Sequence, residues 1–169
     1  MKVRIEYAAL AILVVLIAAF FAVRYVLPNI QERAYDVDGL NVYSKGQPKA
    51  AMKAVLAPDK ILVELDLVNQ NSSKNTAVQV MSAEIASAMA REGKNVSSYG
   101  IVDGKPAIDC TPETNQCTGA QVRVRVGDCN CIRVSASILV EGDENFLKAN
   151  AVKMRGILSL ILQEARTGQ

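Results

Sequence analysis

Cys110, Cys117, Cys129 and Cys131 fall close together in the distal part of the chain. Cysteine has the widest chemistry of any residue type here, as disulfide, metal ligand or nucleophile. Four cysteines allow three pairings. Cys129 and Cys131, read as extended chain, lie on one face about 6.5–7 Å apart, at the upper edge of disulfide reach. The spacing therefore predicts two cross-links that join the loop bounded by Cys110 and Cys117 to the 129–131 turn. Each would stabilise by about 2–4 kcal/mol. The rival is a zinc ion on the same four cysteines, disfavoured because the gaps depart from the usual two to four residues. No other cofactor is expected. A thiol–disulfide oxidoreductase would carry Cys-x-x-Cys at a helix start, whereas this chain has Cys129-Asn130-Cys131 in a turn.

The remaining chemistry is sparse. Histidine is absent, which removes the Ser-His-Asp triad, the Cys-His dyad, histidine-ligated metals and the histidine pH switch. The polar stretch 69–76 follows a predicted strand and precedes a predicted helix. There Ser72, Ser73, Lys74 and Asn75 form the candidate ligand loop, because helix N-termini favour anions. It lacks a glycine-rich fingerprint, and the competing reading is a solvated loop with Ser73 or Asn75 as helix cap. A Ser/Lys nucleophile would need Lys74 buried, against its Asn and Ser neighbours. Asp36/Asp38 and Glu64/Asp66 place paired carboxylates on one strand face, too few oxygens for calcium. Arg123, Arg125 and Arg133 make a basic stripe on one expected hairpin face, suited to an acidic partner or surface polymer, or to plain solvent exposure. Asn71 and Asn95 begin N-glycosylation sequons. Net charge is +2, and the chain from 35 to 169 is neutral, so no nucleic-acid partner is expected.

These residues hang from an uneven chain. Ala8 to Val23 has no charge, Gly, Pro or polar side chain. With its flanks as far as Leu27 it reaches about 30 Å as a helix, the thickness of a bilayer core. Its Leu, Ile, Val and Phe residues favour insertion by about 3–6 kcal/mol. Arg24 can snorkel to the headgroups, and Pro28 stops the helix. A cleaved signal peptide would want small residues before its cleavage site, where Phe20 and Ile17 stand instead. Residues 1–28 are therefore expected to be a signal anchor in the lipid bilayer and 29–34 a connector. Residues 35–169 are expected to be an extracytoplasmic domain. Lys2 and Arg4 favour the N-terminus inside, in a single-pass protein of the cell membrane.

Within the domain, Asp38-Gly39 predicts a hairpin over 34–44, and Pro48 opens a short helix. Residues 61–68 alternate as a strand. Val78, Met81, Ile85, Ala88 and Met89 recur at helical spacing, with Gly93 as C-cap. Strands over 96–102 and 105–110 flank Asp103-Gly104. Strand, helix, strand in that order predicts a βαβ unit. Residues 121–126 and 131–141 read as strands around a turn, the second broken near Ala136. A long C-terminal helix follows, with a broad apolar stripe that suits monomer burial or a homo-oligomer. The expected fold is α+β: a small mixed sheet with hairpins and two long helices on one face. The expected function is a membrane-anchored binding or envelope-structural domain without catalytic activity, with the lipid bilayer and a protein partner or further copies of the chain as its partners. The alternatives are a pilin-like filament subunit, which lacks its processing signature, and the thiol–disulfide oxidoreductase.

Overall fold

The computed structural model describes residues 14–17, 20–21, 32–68, 71–102, 105–106 and 119–167. Residues 14–17 and 20–21 are helical and exposed, but most of the apolar run 8–23 lies outside the described residues. No helix among the described residues is long and apolar enough to cross a membrane, so the expected transmembrane helix has no support there.

The domain is a mixed α+β fold on one sheet. Its elements are β1 (Arg33–Val37), β2 (Leu40–Ser44), α1 (Pro48–Val55), β3 (Lys60–Leu67), α2 (Ser72–Arg91) and β4 (Asn95–Val102). They continue with β5 (Lys105–Pro106), β6 (Val122–Val126), β7 (Cys131–Val134), β8 (Ile138–Gly142) and α3 (Glu144–Thr167). The sheet order is β1-β2-β7-β8-β6-β3-β4-β5. The β1–β2 hairpin turns on Asp38 and Gly39, both at positive φ, as a two-residue turn that matches strand twist requires. Strands β3 and β4 are parallel neighbours joined through α2, the expected βαβ unit.

One expectation fails at β6. Residues 131–141 do not return along β6 as one hairpin strand. The break near Ala136 is a full reversal, so β7 and β8 pair with each other, and β8 inserts between β7 and β6. Local turn residues specify where a chain reverses but not which strand becomes its neighbour, and consecutive strands are adjacent only about two-thirds of the time.

Helix α2 ends in a Schellman motif. Lys94 N–H donates to Met89 O and Gly93 N–H to Ala90 O, both at 3.0 Å, with Gly93 at φ 74. Helices α2 and α3 run side by side and parallel. Ser73 meets Glu144, Glu84 meets Arg155 at 2.8 Å, and Glu92 meets Gln163 at 3.1 Å, each pair 71 residues apart. Both helices cover the same sheet face. The row Val42–Ile132–Val140–Val124–Leu65 crosses five strands in register on that face and packs with Met81, Ile85, Met154 and Leu158. The broad apolar stripe of α3 is spent mostly inside the monomer, leaving Val152 and Leu160 exposed.

Candidate functional site

Strand geometry puts every second side chain on the sheet's other face. No helix among the described elements packs there. One residue along from the core row, the same five strands together with β4 bring Tyr43, Arg133, Leu139, Arg123, Glu64 and Tyr99 into a single cross-strand row. A second row holds Glu141, Arg125 and Asp66. A depression of about 250 Å³ opens here, lined by Arg133, Leu139, Arg123 and Glu64 of the first row, by Arg125 and Asp66 of the second, by Glu32, and by Ser135 and Ser137 of the β7–β8 turn.

The charges on this face are layered. Arg123 Nε lies 3.5 Å from Glu64 Oε1, and Arg125 holds Glu141 through its Nε and Nη2, the latter at 2.5 Å. The carboxylate side chains are only 12% and 13% exposed, whereas the guanidinium side chains are 48% and 45% exposed. The acids are recessed and the guanidiniums stand over them, with donor edges still facing out. Gly127 makes room for this, since a Cβ there would sit 2.5 Å from the Glu141 side chain. Tyr99 Oη donates to Glu64 Oε2 at 2.5 Å. Burial first, and then the hydrogen bond and charge of Glu64, push the Tyr99 phenol up to about 12, with Arg123 pulling the other way.

Arg133 differs from its neighbours. Its guanidinium lies 6.0 Å from the Tyr43 ring centroid and has no carboxylate partner among the described residues. Its Nη2 is 4.0 Å from Cys129 Sγ. The expected basic stripe thus exists, but β8 separates Arg133 from Arg123, and carboxylates neutralise two of its three members.

The cysteines are joined differently from expectation. Cys129 and Cys131 are bonded to each other, with Cα atoms 5.2 Å apart. The extended-chain estimate failed because Asn130 adopts φ 47, which folds the chain and brings the two sulfurs together. The two expected cross-links from this turn to Cys110 and Cys117 therefore do not form, and those two residues lie outside the described residues. Disulfide sulfurs are not thiolates, so a four-cysteine zinc site loses two ligands. No group of three metal-ligating side chains occurs among the described residues.

The candidate ligand loop is mostly helix. Ser72, Ser73, Lys74 and Asn75 form the first turn of α2, and the cap is Asn71, whose Oδ1 accepts from Lys74 N–H at 3.1 Å. Asn75 turns back to bond the Val68 N–H and carbonyl, at 2.8 and 3.0 Å. Ser73 donates to Glu144, which also accepts from Lys148 Nζ at 2.6 Å. Because α2 and α3 are parallel and level, the Glu144 carboxylate at the start of one helix meets the Ser73 hydroxyl in the first turn of the other. Lys148 and Ser73 together hold the Glu144 carboxyl below its ordinary range. Asn95, the other sequon residue, opens β4 with an exposed side chain.

A larger hollow, about 410 Å³, lies at the opposite end among Lys53, Leu56, Glu92, Lys94 and Arg166. Two of its cations are committed. Lys94 Nζ donates to the Ala57 and Pro58 carbonyls at 3.0 and 3.1 Å, and Arg166 pairs with Glu92 at 3.3 Å. They close helix C-termini, where cations are favoured.

Sequence reasoning did not single out Tyr43, Tyr99, Leu139 or Glu141. Period-two alternation places each on a face, but only the strand order aligns them into one row. Compared with protein families, with curated proteins and with solved structures, the chain matches none.

Proposed function

We propose that the chain is a binding domain, held to a membrane by its N-terminal apolar segment and facing outward, whose helix-free sheet face recognises an acidic segment of a protein partner. The observation that carries this reading is the row Tyr43–Arg133–Leu139–Arg123–Glu64–Tyr99. Leu139 offers an apolar contact between two arginines. Arg133 supplies a charge with no carboxylate opposite it among the described residues, and the tyrosines supply rigid amphipathic edges of the kind enriched at interfaces. The apolar run 8–23 and the flanking Lys2 and Arg4 support the anchor and its orientation. No hydrolytic or group-transfer chemistry belongs to this reading.

Hydroxyl-radical footprinting tests it. Oxidation of Tyr43, Leu139 and Tyr99 is compared between protein purified in detergent and protein in its native membranes, with Val152 and Leu160 as helix-side references. Recognition by the sheet face requires protection of the first three in the membrane, lost in Arg133→Glu. Equal oxidation in both states, or protection of Val152 and Leu160 alone, would refute the assignment.

A further inference from the structure

We infer that the Cys129–Cys131 disulfide is a thiol–disulfide exchange site whose substrate class is an exposed cysteine pair of another polypeptide. Cys129 is the sulfur that meets the substrate, and Arg133 is the cation that holds its thiolate. Stability does not account for this cross-link. A disulfide that spans one intervening residue restricts the unfolded chain least of all.

The two sulfurs are unequal. Cys131 is 1% exposed, whereas Cys129 is half-buried, so an incoming thiolate has access to Cys129. Beside that sulfur stands Arg133, with Nη2 at 4.0 Å and no competing carboxylate among the described residues. A neighbouring guanidinium lowers a thiol's pKa and so improves it as a leaving group. The turn is also held by bonds that involve no sulfur. Asn130 Oδ1 accepts from Asp143 N–H at 2.8 Å, and Asn130 Nδ2 donates to Asp143 Oδ2 at 3.2 Å. Asp143 Oδ1 in turn accepts from Phe146 N–H at 2.7 Å in the first turn of α3. Gly142 permits the approach, because a Cβ there would lie 2.9 Å from Asn130 Oδ1 and closer still to the Phe146 ring. Reduction leaves these bonds in place. The two thiols stay together, and closing them again is intramolecular.

The exchange balances. A substrate thiolate attacks Cys129 Sγ, the Cys129–Cys131 bond breaks, and its electron pair leaves on Cys131. The substrate's second thiolate then attacks the substrate sulfur of the mixed disulfide and expels Cys129 as a thiolate beside Arg133. The substrate dithiol is oxidised to a disulfide, and Cys129 and Cys131 are reduced by the same two electrons. Of the two protons released by the substrate thiols, one passes to Cys131 and the other to solvent, and Cys129 stays a thiolate beside Arg133. A second disulfide restores the pair by the reverse steps.

The test uses the full chain in detergent, without denaturant, and a short dithiol peptide as probe. Acid quenching at intervals, isotope-coded alkylation and peptide mapping follow each cysteine separately. The expected result is loss of the 129–131 disulfide as the probe oxidises, through a mixed disulfide on Cys129. Once the pair is reduced, alkylation of Cys129 reads its thiolate fraction directly: Arg133→Gln slows that alkylation about tenfold at neutral pH, the effect of one pKa unit, and moves its pH midpoint upward. Arg133→Lys restores most of the rate. Resistance of the disulfide until denaturant is added, a mixed disulfide on Cys131, or an unmoved pH midpoint in Arg133→Gln would each overturn the inference. The first two readings need no substitution, so they stand even if a variant misfolds. None of them needs the binding partner.

Discussion

Tyr99 reports directly on whether the open-face lattice exists. Its phenol is raised from 10.0 to about 12 by burial and by Glu64, against Arg123. At pH 11 an ordinary tyrosine is about nine-tenths ionised, while a group titrating near 12 is about one-tenth ionised. Absorbance at 295 nm during alkaline titration, with the Tyr99→Phe titration subtracted, isolates this phenol from the other four tyrosines. Glu64→Gln keeps an acceptor for the hydroxyl but removes the charge. The midpoint then falls from about 12 yet stays above 10, since burial remains. Arg123→Gln removes the one lowering influence and moves the midpoint up. Linkage fixes the sign for stability. The fold prefers the neutral phenol, so its contribution is complete below pH 10 and is lost as pH rises through about 12. Tyr99→Phe accordingly flattens the alkaline loss of melting temperature in that window. Far-UV circular dichroism at each pH confirms that the titration is of folded protein. A Tyr99 midpoint near 10, or both substitutions moving it in the same direction, would refute the proposed Glu64–Tyr99–Arg123 geometry.

Other outcomes follow from the same structure. Ile85→Ala, at a fully buried site under the sheet, costs about 2–5 kcal/mol in urea unfolding. Ser82→Ala raises stability by about 1 kcal/mol, because the Ser82 hydroxyl is buried with no partner among the described residues. Asn71→Ala removes the cap of α2 and costs about 1 kcal/mol, read from the same urea midpoint. Non-reducing peptide mapping finds Cys129 linked to Cys131 and to neither Cys110 nor Cys117.

Much of the scaffold was legible because its signals are local. Asp38-Gly39 marks its own turn, Gly93 its own helix end, and the spacing of Val78, Met81, Ile85 and Met89 its own buried stripe. What stayed hidden depends on partners distant in sequence. Ser73 and Lys74 read as an open anion site because nothing local reveals that Glu144 lies level with them across two parallel helices. Residues 131–141 read as a single return with a break near Ala136, rather than as two paired strands, because alternation continues across the Ser135–Ser137 reversal. That error also misplaced the arginines, since their spacing depends on β8 standing between them. The disulfide was misjudged for a smaller reason. One left-handed residue, Asn130, overrides the two-residue rise of an extended strand.

The composition of the open face narrows what can cover it. A second apolar sheet or helix would strip water from the outer edges of Arg123 and Arg125 while offering no acceptors, and would bury Arg133 with no carboxylate among the described residues, one of the costliest outcomes in protein association. A polyanion meets the opposite difficulty. Two of the three guanidiniums already hold recessed carboxylates, so few counterions remain to be released, and the neutral balance of charge from 35 to 169 gives little steering. A folded or extended polypeptide avoids both problems. It can place one carboxylate on Arg133, an apolar side chain on Leu139, and backbone carbonyls or water on the outer edges of Arg123 and Arg125. The edges of the sheet point the same way. β5 is two residues long at one margin and β1 carries charges at the other, so strand addition is disfavoured, which supports the proposal that recognition uses the face.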